Sequence, residues 1–173
     1  MVLVLPKANV ELNLCRDAEA SGSLVPDSTG HVWVLETLDA TRALGRRLAR
    51  ELPAGAILLL SGPLGAGKTS LVQGIAQGLQ IDEPINSPTF ALAQHYQGLG
   101  GALAHLDLYR LESSSSADEL FCQEEEEANA AGAFMAVEWP ERLSFTPQDA
   151  RKLNLELLDP NNPDAGRVAR LQI

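Results

Sequence analysis

The pattern of apolar and polar positions divides the chain into alternating strand-like and helix-like stretches. Val32, Val34 and Leu35 suggest a strand, and Leu38, Leu44, Leu48 and Leu52 mark a helix over about 39–52, ended by Pro53 and Gly55. Ala56-Ile57-Leu58-Leu59-Leu60-Ser61 is a short apolar run, as expected of a buried strand. Helical spacing returns with Leu71, Val72, Ile75, Ala76 and Leu79, until Gly78 and the Pro84 region close the helix. Residues 90–96 and 102–109 read as two strands about a glycine-rich turn at 98–101. An acidic stretch to about residue 130, expected to be helical, precedes a buried strand over 133–139. Residues 153–157 and 167–171 resemble two last strands, joined by the turn formers of 159–166.

Strands alternating with helices predict an α/β three-layer sandwich. Its sheet is mostly parallel, with helices on both faces and antiparallel pairing or a hairpin at the edges. Residues 1–30 lack a sustained period and contain Ser21-Gly22-Ser23 and Pro26-Asp27-Ser28-Thr29-Gly30. They are expected to form a poorly ordered N-terminal extension to a single domain over 31–173, which is long enough for a sizeable core.

The chemistry is concentrated in Gly62-Pro63-Leu64-Gly65-Ala66-Gly67-Lys68-Thr69, which has the spacing G-x-x-x-x-G-K-[ST]. Glycines at 62, 65 and 67 permit positive φ, so that successive N–H groups converge on an anion. Lys68 adds a point charge for β- and γ-phosphates, and the Thr69 hydroxyl suits Mg²⁺. Ser70 opens the following helix, whose N-terminal dipole also faces the phosphates. Strand, loop and helix stand in the required order, which marks Gly62, Leu64, Gly65, Ala66, Gly67, Lys68, Thr69 and Ser70 as a nucleotide-phosphate site.

Such a site needs a carboxylate for the cation. Asp107, near the end of a strand, is the first candidate, although it also reads as a cap for the next turn. Glu138 follows Phe134-Met135-Ala136-Val137 at a strand's C-terminal end, where sheets of this kind place their ligands. It suits a base or an orienter of water, or else a surface carboxylate. Ser87-Pro88-Thr89 reads equally as an ordinary turn or as a loop ordered by a phosphate and its metal. Trp139 reads as a packing aromatic, as a ring beside the nucleotide or as one that contacts a partner. His31, His95 and His105 show no metal-ligand spacing and read as ordinary histidines.

Charge narrows the choice of partners. The formal net charge is −10, and seven acids with no Lys or Arg lie between Glu112 and Ala128. Such a chain repels phosphate backbones, so a protein partner is expected in place of direct nucleic-acid binding. The run Glu124 to Glu127 reads as a solvated helix face. Cys15 and Cys122 form no disulfide framework and suit a reducing cytosol. No stretch is long enough to cross a bilayer and the start lacks the features of a signal peptide, so a cytoplasmic protein is expected.

Taken in order, GPLGAGKTSL, NSPTF, HLDLYRL and VEWPERL resemble the bacterial TsaE (YjeE) family over about residues 32–145. Leu35-Glu36-Thr37, Thr41, Leu44-Gly45 and Leu48 look like that family's first strand and helix. The resemblance implies a P-loop ATPase needed to form threonylcarbamoyladenosine in tRNA, with ATP and Mg²⁺ as cofactors. It implies Lys68 and Thr69 at phosphate and metal, Asp107 as second metal partner, and Glu138 at the metal and required for hydrolysis. It places Trp139 beside the nucleotide and Thr41 near the nucleoside, with Ser87, Pro88 and Thr89 as the switch-like loop. The implied partner is the TsaB–TsaD complex, which would hold the tRNA and carry out the group transfer. Pro63, Gln73 and the tract Glu124 to Glu127 depart from the family pattern. A small-molecule kinase is the alternative, but its arginine-bearing lid would have to lie after Tyr109, where the chain is acidic. A GTPase would need an N-K-x-D guanine reader, which the chain lacks.

Overall fold

The computed structural model describes residues 31–172. The expected N-terminal extension and Cys15 lie outside the described residues. The strands are β1 (Val32–Leu35), β2 (Ile57–Ser61), β3 (Ala93–Gln97), β4 (Ala102–Asp107), β5 (Phe134–Glu138), β6 (Arg151–Leu157) and β7 (Arg167–Gln172). The helices are α1 (Leu38–Glu51), α2 (Lys68–Gly78) and α3 (Ser114–Ala131).

The strands form one sheet in the order β1-β7-β6-β2-β5-β4-β3. From β6 to β4 the pairing is parallel, while β1, β7 and β3 join antiparallel. Helices α1 and α2 pack on one face with Leu58, Leu60, Leu103, Phe134 and Leu153. Helix α3 covers the other face through Ala117, Phe121 and Ala128, against Ala104, Leu106, Met135 and Val137. This is the expected three-layer α/β architecture. Strands β2 and β5 are apolar on both faces because both faces are covered, which explains their unbroken apolar runs.

Two local expectations are corrected. Strand β3 begins at Ala93 and not at residue 90: Leu92 takes a positive φ of 67°, and Phe90 sits in a turn, 84% exposed. Antiparallel pairing does lie at both edges, where β1 pairs along β7 on one side and the β3–β4 hairpin closes the other. The acidic tract is only partly a solvated face. Glu124 turns inward on α3, and its carboxylate bonds His95 Nε2 on the edge strand.

Helices α1 and α2 approach so closely that backbone meets backbone. A Cβ on Gly45 would lie 2.2 Å from the Leu71 carbonyl oxygen, and one on Gly74 would lie 2.1 Å from that of Arg42. Beside this crossing, the Gln73 carboxamide accepts from Arg42 Nε and donates to the Ile85 carbonyl, so it ties both helices to the next loop. Alanine is the better helix former by about 1 kcal/mol. Gly74→Ala is nonetheless expected to destabilise the fold by about 2 kcal/mol, because the helices must separate. Urea denaturation measures this, and an unchanged midpoint would refute the close crossing.

Candidate nucleotide-binding site

The loop between β2 and α2 is shaped by its glycines. Gly62, Gly65 and Gly67 have φ of 137°, 80° and 98°. Gly62 also lies too close to β6 for a side chain, since a Cβ there would sit 2.3 Å from the Leu155 carbonyl oxygen. Gly67 is the left-handed cap of α2, and the Leu71 N–H bonds back to its carbonyl at 2.9 Å. The loop thereby presents the N-terminus of α2 at the C-terminal edge of the parallel strands.

Lys68 is 5% exposed, and its ammonium donates to the carbonyls of Gly62 at 2.7 Å and Pro63 at 3.0 Å. Its Nζ lies 3.9 Å from the centroid of the Trp139 ring. Burial pushes the ammonium below its ordinary pKa, while Glu138, Glu141 and Asp107 act in the opposite direction. Trp139 leaves β5 with a positive φ of 61°, which turns its ring away from the strand path to lie over Lys68 and 4.9 Å from the ring of Tyr109.

Asp107 and Glu138 are register neighbours on adjacent parallel strands, so both carboxylates reach the same face. Glu138 Oε1 accepts from the Thr69 hydroxyl at 2.9 Å and lies 2.9 Å from His105 Nε2. His105 is fully buried, and its Nδ1 has no partner among the described residues, which favours the tautomer carrying the proton on Nε2. Asp107 takes the turn-capping role expected of it and also holds the loop over 87–89. Its Oδ1 accepts from the Tyr109 N–H at 3.0 Å, which caps the turn. Its Oδ2 accepts from the hydroxyls of Ser87 at 2.7 Å and Thr89 at 2.8 Å. Pro88 lies between those two residues, and its carbonyl accepts from the Leu92 N–H.

The structure therefore brings Leu64, Gly65, Gly67, Lys68, Thr69, Ser70, Ser87, Thr89, Asp107, Glu138 and Trp139 to one cleft of about 460 Å³. Gly62 and the fully buried Ala66 support the loop from behind. Thr41 is also fully buried and does not line the cleft; its hydroxyl donates to the Thr37 carbonyl. Leu38 and Tyr109 line the cleft without having been singled out in the sequence. His105 is the chief residue missed. The available signal was its position two residues before Asp107, on the same face of a strand otherwise apolar to that point. A hydroxyl and two carboxylates at the mouth of a phosphate loop are hard oxygen donors, which fits a small divalent cation.

Sheet order, loop and helix define a protein of the α/β class with the P-loop NTPase-like fold. The crystal structure of YdiB from Bacillus subtilis is similar, with a TM-score of 0.61 and 26% identity, covering 81% of this chain and 82% of that one. This chain belongs to the TsaE family, whose model, described as threonylcarbamoyl adenosine biosynthesis protein TsaE, matches residues 35–167. Its relatives include the tRNA threonylcarbamoyladenosine biosynthesis protein TsaE of Synechocystis, 46% identical over 117 residues, which are 66% of this chain and 73% of that protein. The proteins of the same name from Mycobacterium tuberculosis H37Rv and Aquifex aeolicus are 42% and 35% identical. These cover 66% and 74% of this chain and 71% and 88% of the relatives. The family match runs beyond residue 145 and takes in β6 and the first residue of β7, further than the sequence motifs suggested.

His105→Leu removes the imidazole that faces Glu138 and leaves a buried carboxylate with fewer donors. The expected cost is about 1–3 kcal/mol despite the added apolar surface, measured by urea unfolding. A more stable variant would show that Glu138 does not depend on that bond.

Proposed function

We propose that this chain is a Mg²⁺-dependent ATP-binding and ATP-hydrolysing protein that supports formation of threonylcarbamoyladenosine in tRNA. It acts in the cytoplasm with the TsaB–TsaD complex, which meets the tRNA and transfers the group. The observation that carries this reading is the meeting of Lys68, Thr69, Asp107 and Glu138 at the C-terminal edge of the sheet, around the N-terminus of α2. Backbone N–H groups of the loop and the Lys68 ammonium bind the phosphate chain, and Trp139 closes one side of the site. Thr69, Asp107 and Glu138 would hold Mg²⁺, which would neutralise charge on the phosphate oxygens. Glu138, aligned by Thr69 and His105, orients the attacking water and accepts its proton. Ser87, Pro88 and Thr89 form the loop that responds to the nucleotide.

Two features favour a protein partner over the kinase alternative. The cleft rim exposes Leu38, Leu64 and Tyr109, and Phe90 stands exposed beside Thr89, which suits a protein surface closing over the nucleotide. The segment after Tyr109 becomes α3, packed on the far face of the sheet, so it supplies no arginine lid. Arg110 instead lies against the Phe90 ring, 4.0 Å from its centroid. The net charge of −10 disfavours a direct tRNA contact.

The test is Mg²⁺-dependent ATP hydrolysis by the purified chain, with and without the TsaB–TsaD pair. The wild type is expected to turn over slowly alone and faster with the pair. Lys68→Ala should weaken ATP binding. Glu138→Ala should bind ATP yet hydrolyse it about a hundredfold more slowly. Equal hydrolysis by wild type and Glu138→Ala would remove the role given to Glu138, and indifference to the pair would reopen the kinase reading.

A further inference from the structure

Arg167 is buried beside the phosphate loop, although it comes from the far end of the sequence. It is the first residue of β7, paired with Leu157 of β6 and Leu35 of β1. Because β7 runs antiparallel to β6, its first residue lies at the C-terminal end of β6, the edge that carries the loop. The residue is 2% exposed. Its Nη2 donates to the Pro163 carbonyl at 3.0 Å, while Nε and Nη1 have no hydrogen-bond partner among the described residues.

The guanidinium occupies the space where a side chain on residue 67 would go. A Cβ on Gly67 would lie 2.6 Å from Arg167 Nη1, 3.6 Å from its Cδ and 3.6 Å from the Thr41 methyl. Gly67 is therefore glycine for two reasons: its left-handed φ and the close approach of Arg167. Arginine keeps its charge under all ordinary conditions, and a buried charge without a counter-charge is unfavourable. No ion pair involves Arg167 among the described residues, and the nearby Asp164 is exposed. Burial depresses the guanidinium's affinity for its proton, and Asp164 only partly offsets this. The site beside it that is built to receive negative charge is the N-terminus of α2, which Gly67 caps.

We propose that Arg167 is a positioning residue of the nucleotide site, a fixed positive charge behind Gly67 that strengthens the loop's hold on polyphosphate. The inference rests on the nucleotide reading above. Arg167 touches the loop from behind and does not line the cleft, so it acts through Gly67 and through its field. Its charge is compensated when the phosphates arrive. Without them it adds little to stability.

The experiment compares wild type, Arg167→Met and Arg167→Lys by titration with ATP, ADP and adenosine, alongside urea unfolding without nucleotide. Arg167→Met is expected to bind ATP and ADP about tenfold more weakly, with adenosine binding unchanged and an unfolding midpoint equal to or above that of wild type. Arg167→Lys should recover most of the lost affinity. A methionine variant that binds ATP as well as wild type overturns the proposal. So does a lowered midpoint with ATP and adenosine weakened alike, the outcome for a residue that only pins β7 to the loop. A lysine variant no better than methionine assigns the effect to shape and also overturns it. If the wild type itself binds neither ATP nor ADP, the nucleotide reading has failed and the proposal falls with it.

Discussion

Burial of both faces of the central strands is the constraint on which the rest of this structure depends. Strands β2 and β5 and most of β4 have no solvent-facing side, so their interior positions are apolar and their chemistry is confined to the ends. The buried polar side chains are distributed accordingly. Lys68, Asp107, Glu138 and Arg167 gather at or beneath the C-terminal edge of the parallel strands, Thr41 packs against the loop there, and His105 stands two residues further in. Glu124 is the exception, and it meets His95 across the α3 side of the edge strand. One edge of the molecule thus carries most of its desolvated charge, and the backbone glycines that shape the loop lie at the same edge.

The charges at that edge are held mainly by neutral groups rather than by one another. The Lys68 ammonium is taken up by two carbonyls and an aromatic ring. Asp107 accepts from hydroxyls and a backbone N–H, and Glu138 from a hydroxyl while facing an imidazole. Among the described residues no direct ion pair joins Lys68 to either carboxylate. A closed ion pair between them would satisfy both partners, and any incoming anion or cation would then have to break it. Dipoles arranged around separated charges leave each charge able to act on a third group, and they need little reorganisation when it arrives.

How much of this was legible in the sequence depended on whether the information was local. The loop, its flanking strand and helix, and both carboxylates were readable, because each rests on residues within one turn or one strand. The sequence pattern starts β3 three residues too early because apolar and β-prone residues at 90–92 look like strand, whereas Leu92 takes a left-handed turn. Glu124 reads in sequence as one of an acidic run, since only the tertiary packing of α3 distinguishes the member that faces inward. The sheet order was legible only as a class. Nothing local says that β6 inserts beside β2 while β1 travels to the far side of β7. Arg167 was invisible for the same reason: a hundred residues separate it from Gly67, and only the antiparallel return of β7 brings them together.

The loop over 87–89 shows how such an arrangement couples a site to its surroundings. Ser87 and Thr89 both donate to Asp107 Oδ2, and their own oxygens lie 2.7 Å apart. On the proposed reading that same carboxylate serves Mg²⁺, so the hydroxyls and the cation make competing claims on its lone pairs. A carboxylate oxygen accepts a limited number of close partners, and a divalent cation outcompetes neutral donors for them. A cation bound directly at Oδ2 would either move the hydroxyls to new acceptors or convert them from donors to the acid into ligands of the ion and phosphate. Both routes would shift residues 87–89, and Phe90, next in the chain, carries an exposed ring on Arg110 at the rim. On that reading, four consecutive residues form a short path by which a change at one carboxylate oxygen would reach the surface and a partner there.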